Sequence, residues 1–363
     1  MIIQLTTISL IFKIDYFSNL IIIQHTNQLA MLPNTSRRSF LRQSSLASLG
    51  ILAAGKSAFA GSFFASLPNS KINGVQIGVT TYSYRSMPGN PDKLLQYCID
   101  SNINAVELKG EEVEAYFGKP ANTVKMPPRV SGQPAPELSE ERKAKIKEYQ
   151  QQVATWRESI SMDKFSELGK KFNAAGVYIF AYKPNSLAPE NTDGEVIYAL
   201  KAAKALGATS VSVELPSDPA QTKRLGDLGA KNKVYIGYHA HLQASETAWD
   251  TALEQSPYNT LNLDCGHYIA AGNTKESLLA LIESKHKRIS SMHIKDRKSK
   301  ANGGKNMPWG QGDTPLKEIL TLMKDKKYKM PATIELEYNI PEGSDAVKET
   351  KLCRDYTQML LEG

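Results

Sequence analysis

From Val75 to Tyr338 the chain repeats one alternation eight times: a short run of β-branched or aromatic residues, then a stretch whose apolar side chains fall at helical spacing. The runs are VQIGVTTYSY from Val75, NAVELKG from Asn104, GVYIFAY from Gly176, TSVSVEL from Thr209, KVYIGYHAH from Lys233, NTLNLDCGH from Asn259, RISSMHIKD from Arg288 and PATIELEY from Pro331. Between them lie patterns such as PDKLLQYCIDSN, MDKFSELGKKFNAAG, EVIYALKAAKALG, PAQTKRLGDLGAKN, TKESLLALIESKHK and TPLKEILTLMKDKKY, several closing on Gly or Asn before the next strand. Strands separated by helices pair in parallel through crossovers, not as hairpins. Eight such units predict an α/β fold, a single (β/α)8 TIM barrel. One irregular, Pro- and Gly-rich segment from Glu111 to about Leu138, followed by a polar helix from Ser139 to about Arg157, reads as an insertion between strands 2 and 3. At the C-terminal end of a barrel it would serve either as a lid or as a solvent-facing decoration.

The first sixty residues read as an address. SRRSFLRQSSLASLGILAAGKSAFAG carries the pair Arg37 and Arg38, then Phe40 and Leu41, a modestly apolar stretch from Leu46 to Ala54, and the small-x-small site Ala58, Phe59, Ala60. This resembles a twin-arginine (Tat) export signal cleaved after Ala60. The division expected is therefore 1–60 presequence and signal, 61–363 catalytic barrel. The apolar runs before it, Ile8 to Phe12 and Leu20 to Ile23, are too short to span a bilayer, and Met31 stands where such a signal would begin. The expectation is a periplasmic protein with no stable membrane anchor after cleavage.

Charge and cysteine content narrow the partners. The chain of 363 residues has a formal net charge of +7, but Lys13, Arg37, Arg38, Arg42 and Lys56 against Asp15 place four of those charges in the leader. The remaining domain is near balance, which argues against a nucleic-acid partner. Cys98, Cys265 and Cys353 have no CxxC spacing, so neither a thioredoxin-like pair nor a zinc–cysteine site is expected.

Side chains at strand ends converge on one pocket in such a barrel. Here those positions carry Glu107, Glu214, His239, His241, Asp264, His267, His293, Lys295, Asp296, Glu335 and Glu337, and they hold four of the six histidines in the chain. His239 and His241, His293 and Lys295, and Glu335 and Glu337 are each two apart, so both members of a pair face one side of an extended strand. Mixed imidazole and carboxylate donors suit a transition metal better than calcium. Lys295 and Asp296 also allow a purely local ion pair.

Taken in order, IGYHAH, LDCGH, MHIKD, PWGQGD and TIELEY resemble the xylose isomerase-like TIM-barrel family, the sugar phosphate isomerase/epimerase group. The resemblance implies one divalent metal ion, with Mn, Zn, Co, Fe and Mg not distinguished, held by His239, Asp264, His293 and Glu335. It further implies substrate contacts from His267 and from the loop Trp309 to Gly312, to which position adds His241 and Glu337. One departure stands out: the family's epimerases place a glutamate, ligand and base at once, where this chain has His239. Glu214, one strand earlier, is the expected substitute carboxylate, as a further ligand or an acid/base.

The chemistry expected is proton abstraction next to a carbonyl through an enediolate, with Glu335 and Glu214 as acid/base and Lys295 supporting the developing oxyanion. The substrate expected is a free or glycosidic sugar, and the protein is compatible with a homo-oligomer. Elimination on 3-keto glycosides is an alternative use of the same site, and a non-catalytic carbohydrate-binding barrel a second. A DNA repair nuclease of the endonuclease IV type shares the barrel, but the near-neutral domain and the export signal argue against it.

Overall fold

The computed structural model describes residues 67–127 and 136–363; the segment expected to be an export signal, its expected cleavage site and the stretch 128–135 of the expected insertion lie outside the described residues. Eight parallel strands close into a barrel: β1 (Val75–Thr80), β2 (Ala105–Lys109), β3 (Tyr178–Lys183), β4 (Ser210–Glu214), β5 (Tyr235–His239), β6 (Asn259–Asp264), β7 (Ile289–Ile294) and β8 (Ala332–Ile334). Each strand pairs with its neighbour in sequence, and β8 closes on β1 through Ala332 opposite Ile77 and Ile334 opposite Val79. All eight expected strands are present, and the single (β/α)8 barrel is the fold of this protein.

Helices surround the barrel in chain order: α1 (Pro91–Asp100), α2 (Gly110–Tyr116), α3 (Glu140–Ser159), α4 (Met162–Ala174), α5 (Asp193–Leu206), α6 (Pro219–Asn232), α7 (Asp250–Gln255), α8 (Cys265–Ala270), α9 (Lys275–Lys285), α10 (Leu316–Asp325) and α11 (Ala346–Glu362). Their boundaries follow from capping chemistry. Asn90 accepts from the Lys93 N–H ahead of Pro91, whose fixed φ suits a first helical position. Thr192 and Glu195 form a reciprocal capping box at the start of α5, which ends on Gly207 in the left-handed region. The core lies between strands and helices, with Ile77, Val106, Phe172, Leu200 and Ile319 fully buried.

Several strands end earlier than the sequence runs, and one loop begins as a helix. The run from Val75 leaves the sheet at Thr80 and turns as a 3-10 helix, because Ser83 Oγ donates to the Ile334 carbonyl and accepts from the Leu336 N–H, pinning the turn to β8. NTLNLDCGH stops at Asp264, whose carboxylate caps α8. The segment read as irregular from Glu111 begins as α2, where Val113 and Glu114 are buried.

The β2–β3 connection is fastened by charge. Arg157 of α3 grips Glu114 of α2 through Nε (2.9 Å) and Nη2 (3.1 Å), and Glu195 of α5 through Nη1 (2.7 Å), all three being buried. This holds the largely exposed α3 to the outer ring through α2 and α5, and none of its residues lines the mouth pocket. No helix among the described residues is long and apolar enough to cross a membrane.

Candidate metal centre

Four strands deliver the expected ligand set to one point. His239 ends β5, Asp264 ends β6, His293 is the penultimate residue of β7 and Glu335 follows β8. All four are buried, and one donor atom from each lies within 4.8 Å of the others. Extended backbone is what puts them there: in the parallel pairing of β6 with β7, Asp264 stands opposite His293.

The far side of each imidazole is held by a carboxylate. His239 donates from Nδ1 to Glu214 Oε2 (2.9 Å), leaving Nε2 turned to Asp264 Oδ2 (3.3 Å). His293 donates from Nε2 to Glu107 Oε2 (3.1 Å), which also accepts from Asn262 Nδ2 (3.1 Å). His293 Nδ1 is left buried without a hydrogen-bond partner, 3.4 Å from Glu335 Oε2. Carboxylates on the outer nitrogens fix ring orientation and raise basicity, as around metal-ligating histidines. Asp264 is oriented too: its Oδ1 accepts from the His267 N–H at 2.6 Å, so Oδ2 faces the centre. Two imidazoles and two carboxylates, each braced and one with an orphaned donor atom, fit a divalent transition metal.

Glu214 stands behind His239, outside the quartet. It binds Lys183 (2.9 Å) through Oε1, and Oε2 faces both His239 and His241 (3.3 Å). Partial burial alone would raise its pKa, but the His239 hydrogen bond and the charges of His239 and Lys183 hold it well below the carboxylate range. Glu107 was legible as a strand-end acid and is fully buried, with its role set by His293 across the barrel.

Lys295 supplies a fixed positive charge. Its ammonium reaches Glu337 (2.6 Å), Glu335 (2.7 Å) and Asp264 (2.9 Å), and these carboxylates outweigh burial and hold its pKa above the ordinary lysine value. The local pair with Asp296 is not formed. Asp296 instead accepts N–H groups of Gln311 (3.0 Å), Gly312 (2.7 Å) and Thr314 (3.3 Å), clamping the PWGQGD loop. Gly312 is required there, since a Cβ would lie 2.0 Å from Asp296 Oδ1. Gly266 of the LDCGH run is required likewise, because a Cβ would sit 2.6 Å from Lys295 Cγ.

The clamp also corrects one expectation. Trp309 is 1 % exposed, its ring edge-on to Tyr356 of α11, so it packs the loop onto the outer ring and does not line the mouth pocket. His241 does line the mouth, and the buried His267 stacks beneath it with ring centroids 4.4 Å apart and planes 14° from parallel. The Arg297 guanidinium donates to His267 Nδ1, which leaves Nε2 as the protonated nitrogen. Burial pushes the His267 pKa down to about 3, with Lys295 and the other histidines adding to the shift, so this ring is a neutral donor.

A pocket of about 280 Å³ opens over the centre, lined by His239, His241, Glu214, Glu335 and Glu337 together with Thr80, Tyr82, Lys109 and Lys183. The last four were missed in the sequence, although Thr80, Lys109 and Lys183 are each the final residue of their strand. Lys109 packs over the Tyr82 ring, 5.2 Å from its centroid.

Residues 149–356 match the xylose isomerase-like TIM barrel family, and the chain belongs to it. No curated protein matches in sequence. Among solved structures, a D-psicose 3-epimerase with D-tagatose from Clostridium cellulolyticum H10 superposes with a TM-score of 0.53 at 11% identity, over 79% of this chain and 99% of that one. The IOLI protein with a binding zinc atom gives 0.54 at 15%, over 79% and 98%. The probable 3-DHS dehydratase AsbF of Bacillus anthracis gives 0.52 at 13%, over 77% and 98%. At these identities the likeness establishes a common fold.

Proposed function

We propose that this protein is a divalent-metal-dependent sugar isomerase or epimerase that removes a proton next to a carbonyl. The observation that carries the proposal is the convergence of His239, Asp264, His293 and Glu335, with Glu214 and Glu107 bracing the two imidazoles. A metal bound there would supply Lewis-acid polarisation of neighbouring sugar oxygens. The chain's own groups do the rest. Glu335 is the carboxylate placed to take the proton, Lys295 stabilises negative charge developing on oxygen, and neutral His267 donates a hydrogen bond from Nε2. His241 and Glu337 border the sugar.

One observation favours a second reading, elimination on a 3-keto glycoside. Both oxygens of Glu214 are engaged, by Lys183 and by His239 and His241, whereas Lys295 and His293 meet Glu335 at Oε2 alone, which leaves Glu335 as the principal base at the centre. A single base suffices for removal of a proton and expulsion of a leaving group, whereas epimerisation by proton return from the opposite face needs two. That similar folds include proteins named an epimerase and a dehydratase is consistent with either outcome.

The test is metal analysis of the purified protein followed by NMR of candidate sugars and 3-keto glycosides in D2O. About one metal per chain and deuterium entering a carbon position are expected; elimination would instead release the aglycone. A metal-free protein that exchanges no carbon-bound hydrogen would leave only a carbohydrate-binding role. The export signal belongs to the same proposal: the mature enzyme is periplasmic and begins at Gly61, which N-terminal sequencing of the exported protein checks.

A further inference from the structure

Beside the mouth pocket, two loops enclose a second cleft of about 490 Å³. One loop follows β3 and the other follows β4, so the cleft lies on the face that carries the metal centre. The two cavities share Lys183 and Glu214, whose side chains are joined at 2.9 Å. Across that pair the chemistry of the wall changes. The mouth gathers imidazoles, carboxylates and lysines around Thr80 and Tyr82, whereas the neighbouring cleft has an apolar wall of Pro184, Leu187, Ala188, Pro189, Leu215 and Pro216, with Asn185, Ser212, Ser217 and Asp218 among its other lining residues.

We infer that this cleft is an aglycone subsite, and that the substrate is a glycoside bearing an aromatic or aliphatic group. The inference rests on the sugar-enzyme reading above and specifies its substrate class. A volume of about 280 Å³ at the mouth accommodates a single sugar ring, and a substituent continuing past Lys183 and Glu214 enters the apolar cleft. Three prolines in its wall have φ fixed, so little ordering cost accompanies binding of a rigid, flat group.

The same wall disfavours a phosphate. Among the described residues, the acidic groups on the cleft are Glu214 and Asp218, and the one cation lining it, Lys183, is already paired with Glu214. A sugar phosphate would therefore meet apolar side chains and like charge, whereas an apolar aglycone would bury surface against the prolines and leucines of the wall.

The test uses the full chain as purified with its bound metal, and calorimetric titration with phenyl β-D-glucopyranoside, methyl β-D-glucopyranoside and phenol. The phenyl glycoside is expected to bind at least about tenfold more tightly than the methyl glycoside. Leu215→Asp and Ala188→Asp, neither in the catalytic machinery, should abolish that advantage and leave methyl glycoside affinity within about twofold. Unchanged melting temperatures establish that both variants fold, and Leu215→Ala serves as a milder variant with a partial loss. Equal affinity of the two glycosides, or an equal effect of Leu215→Asp on both, overturns the inference and returns the cleft to some other occupant, such as a protein segment. If neither glycoside binds, the sugar reading is what fails. Phenol binding lost in Leu215→Asp would then still support an apolar-group subsite, and phenol binding that is absent or insensitive to the substitution would overturn it.

Discussion

Two clusters of buried charge lie within one barrel, and they are built on opposite principles. In the first, Arg157 lies between Glu114 and Glu195, with five-donor guanidinium geometry matched to two carboxylates at 2.7 to 3.1 Å. In the second, at the mouth, Asp264, Glu335 and Glu337 crowd around one lysine, while the His293 Nδ1 and His267 Nε2 atoms remain without hydrogen-bond partners. The first is satisfied and holds helices together. The second concentrates like charge and orphaned donors, which a stable interior avoids unless a ligand completes it. Burial alone therefore does not separate structure from function. Between these two clusters, what differs is whether the buried polar atoms all have partners.

Breaking each cluster in turn should give opposite phenotypes. The largest effect is expected from His293→Ala, which removes a ligand: bound metal should fall from about one per chain to below about a tenth, measured by elemental analysis, with the barrel still folded. Arg157→Met should do the reverse. It removes the buried cation shared by Glu114 and Glu195, leaving Lys119 to the first and the Thr192 N–H with Asn191 to the second, and should cost about 3 kcal/mol in denaturant unfolding, while metal content is unchanged. A variant that lost both stability and metal would dissolve the distinction between the clusters.

Glu107→Gln and Glu214→Gln sharpen the contrast within the mouth. Each keeps a side chain of similar shape and weakens the brace on one imidazole, so metal affinity should fall by about 10- to 100-fold. If Glu214→Gln retained full affinity, its role would be confined to the pair with Lys183.

The smallest effect concerns pH. Burial would raise the pKa of Glu195, but the Thr192 N–H, Arg157 and Asn191 outweigh it and hold the group below its ordinary value. A lowered folded pKa contributes stability above the unfolded value of about 4.3, lost as pH falls through the folded value. The stability gap between wild type and Glu195→Gln, about 1 kcal/mol at neutral pH, should therefore narrow below about pH 4.

The barrel was legible in the sequence because strand and helix periods are local properties, and all eight strands were readable from them. The ligand quartet was legible for a related reason: in a parallel barrel a strand-end position is also a position in space. That rule brought eleven polar residues into view, and the family resemblance singled out His239, Asp264, His293 and Glu335, which the barrel does bring together. Lys109 and Lys183 obey the rule too and were overlooked, since lysine at a strand end is more often a solvated group than a pocket wall.

What the tertiary structure alone decided is which atoms face one another. Glu107 and His293 are 186 positions apart, and no local pattern shows that one braces the other. Glu214 is a position from which ligand, base and brace are equally available, until the distances to His239, His241 and Lys183 select the brace. Trp309 sits in a glycine-rich loop that resembles a substrate loop, and in the fold it is buried edge-on to Tyr356 while Asp296 holds the loop. Secondary structure and barrel position are fixed by short-range periodicity and capping, whereas hydrogen-bond partnership across the barrel depends on closure, which brings distant strand ends within bonding distance.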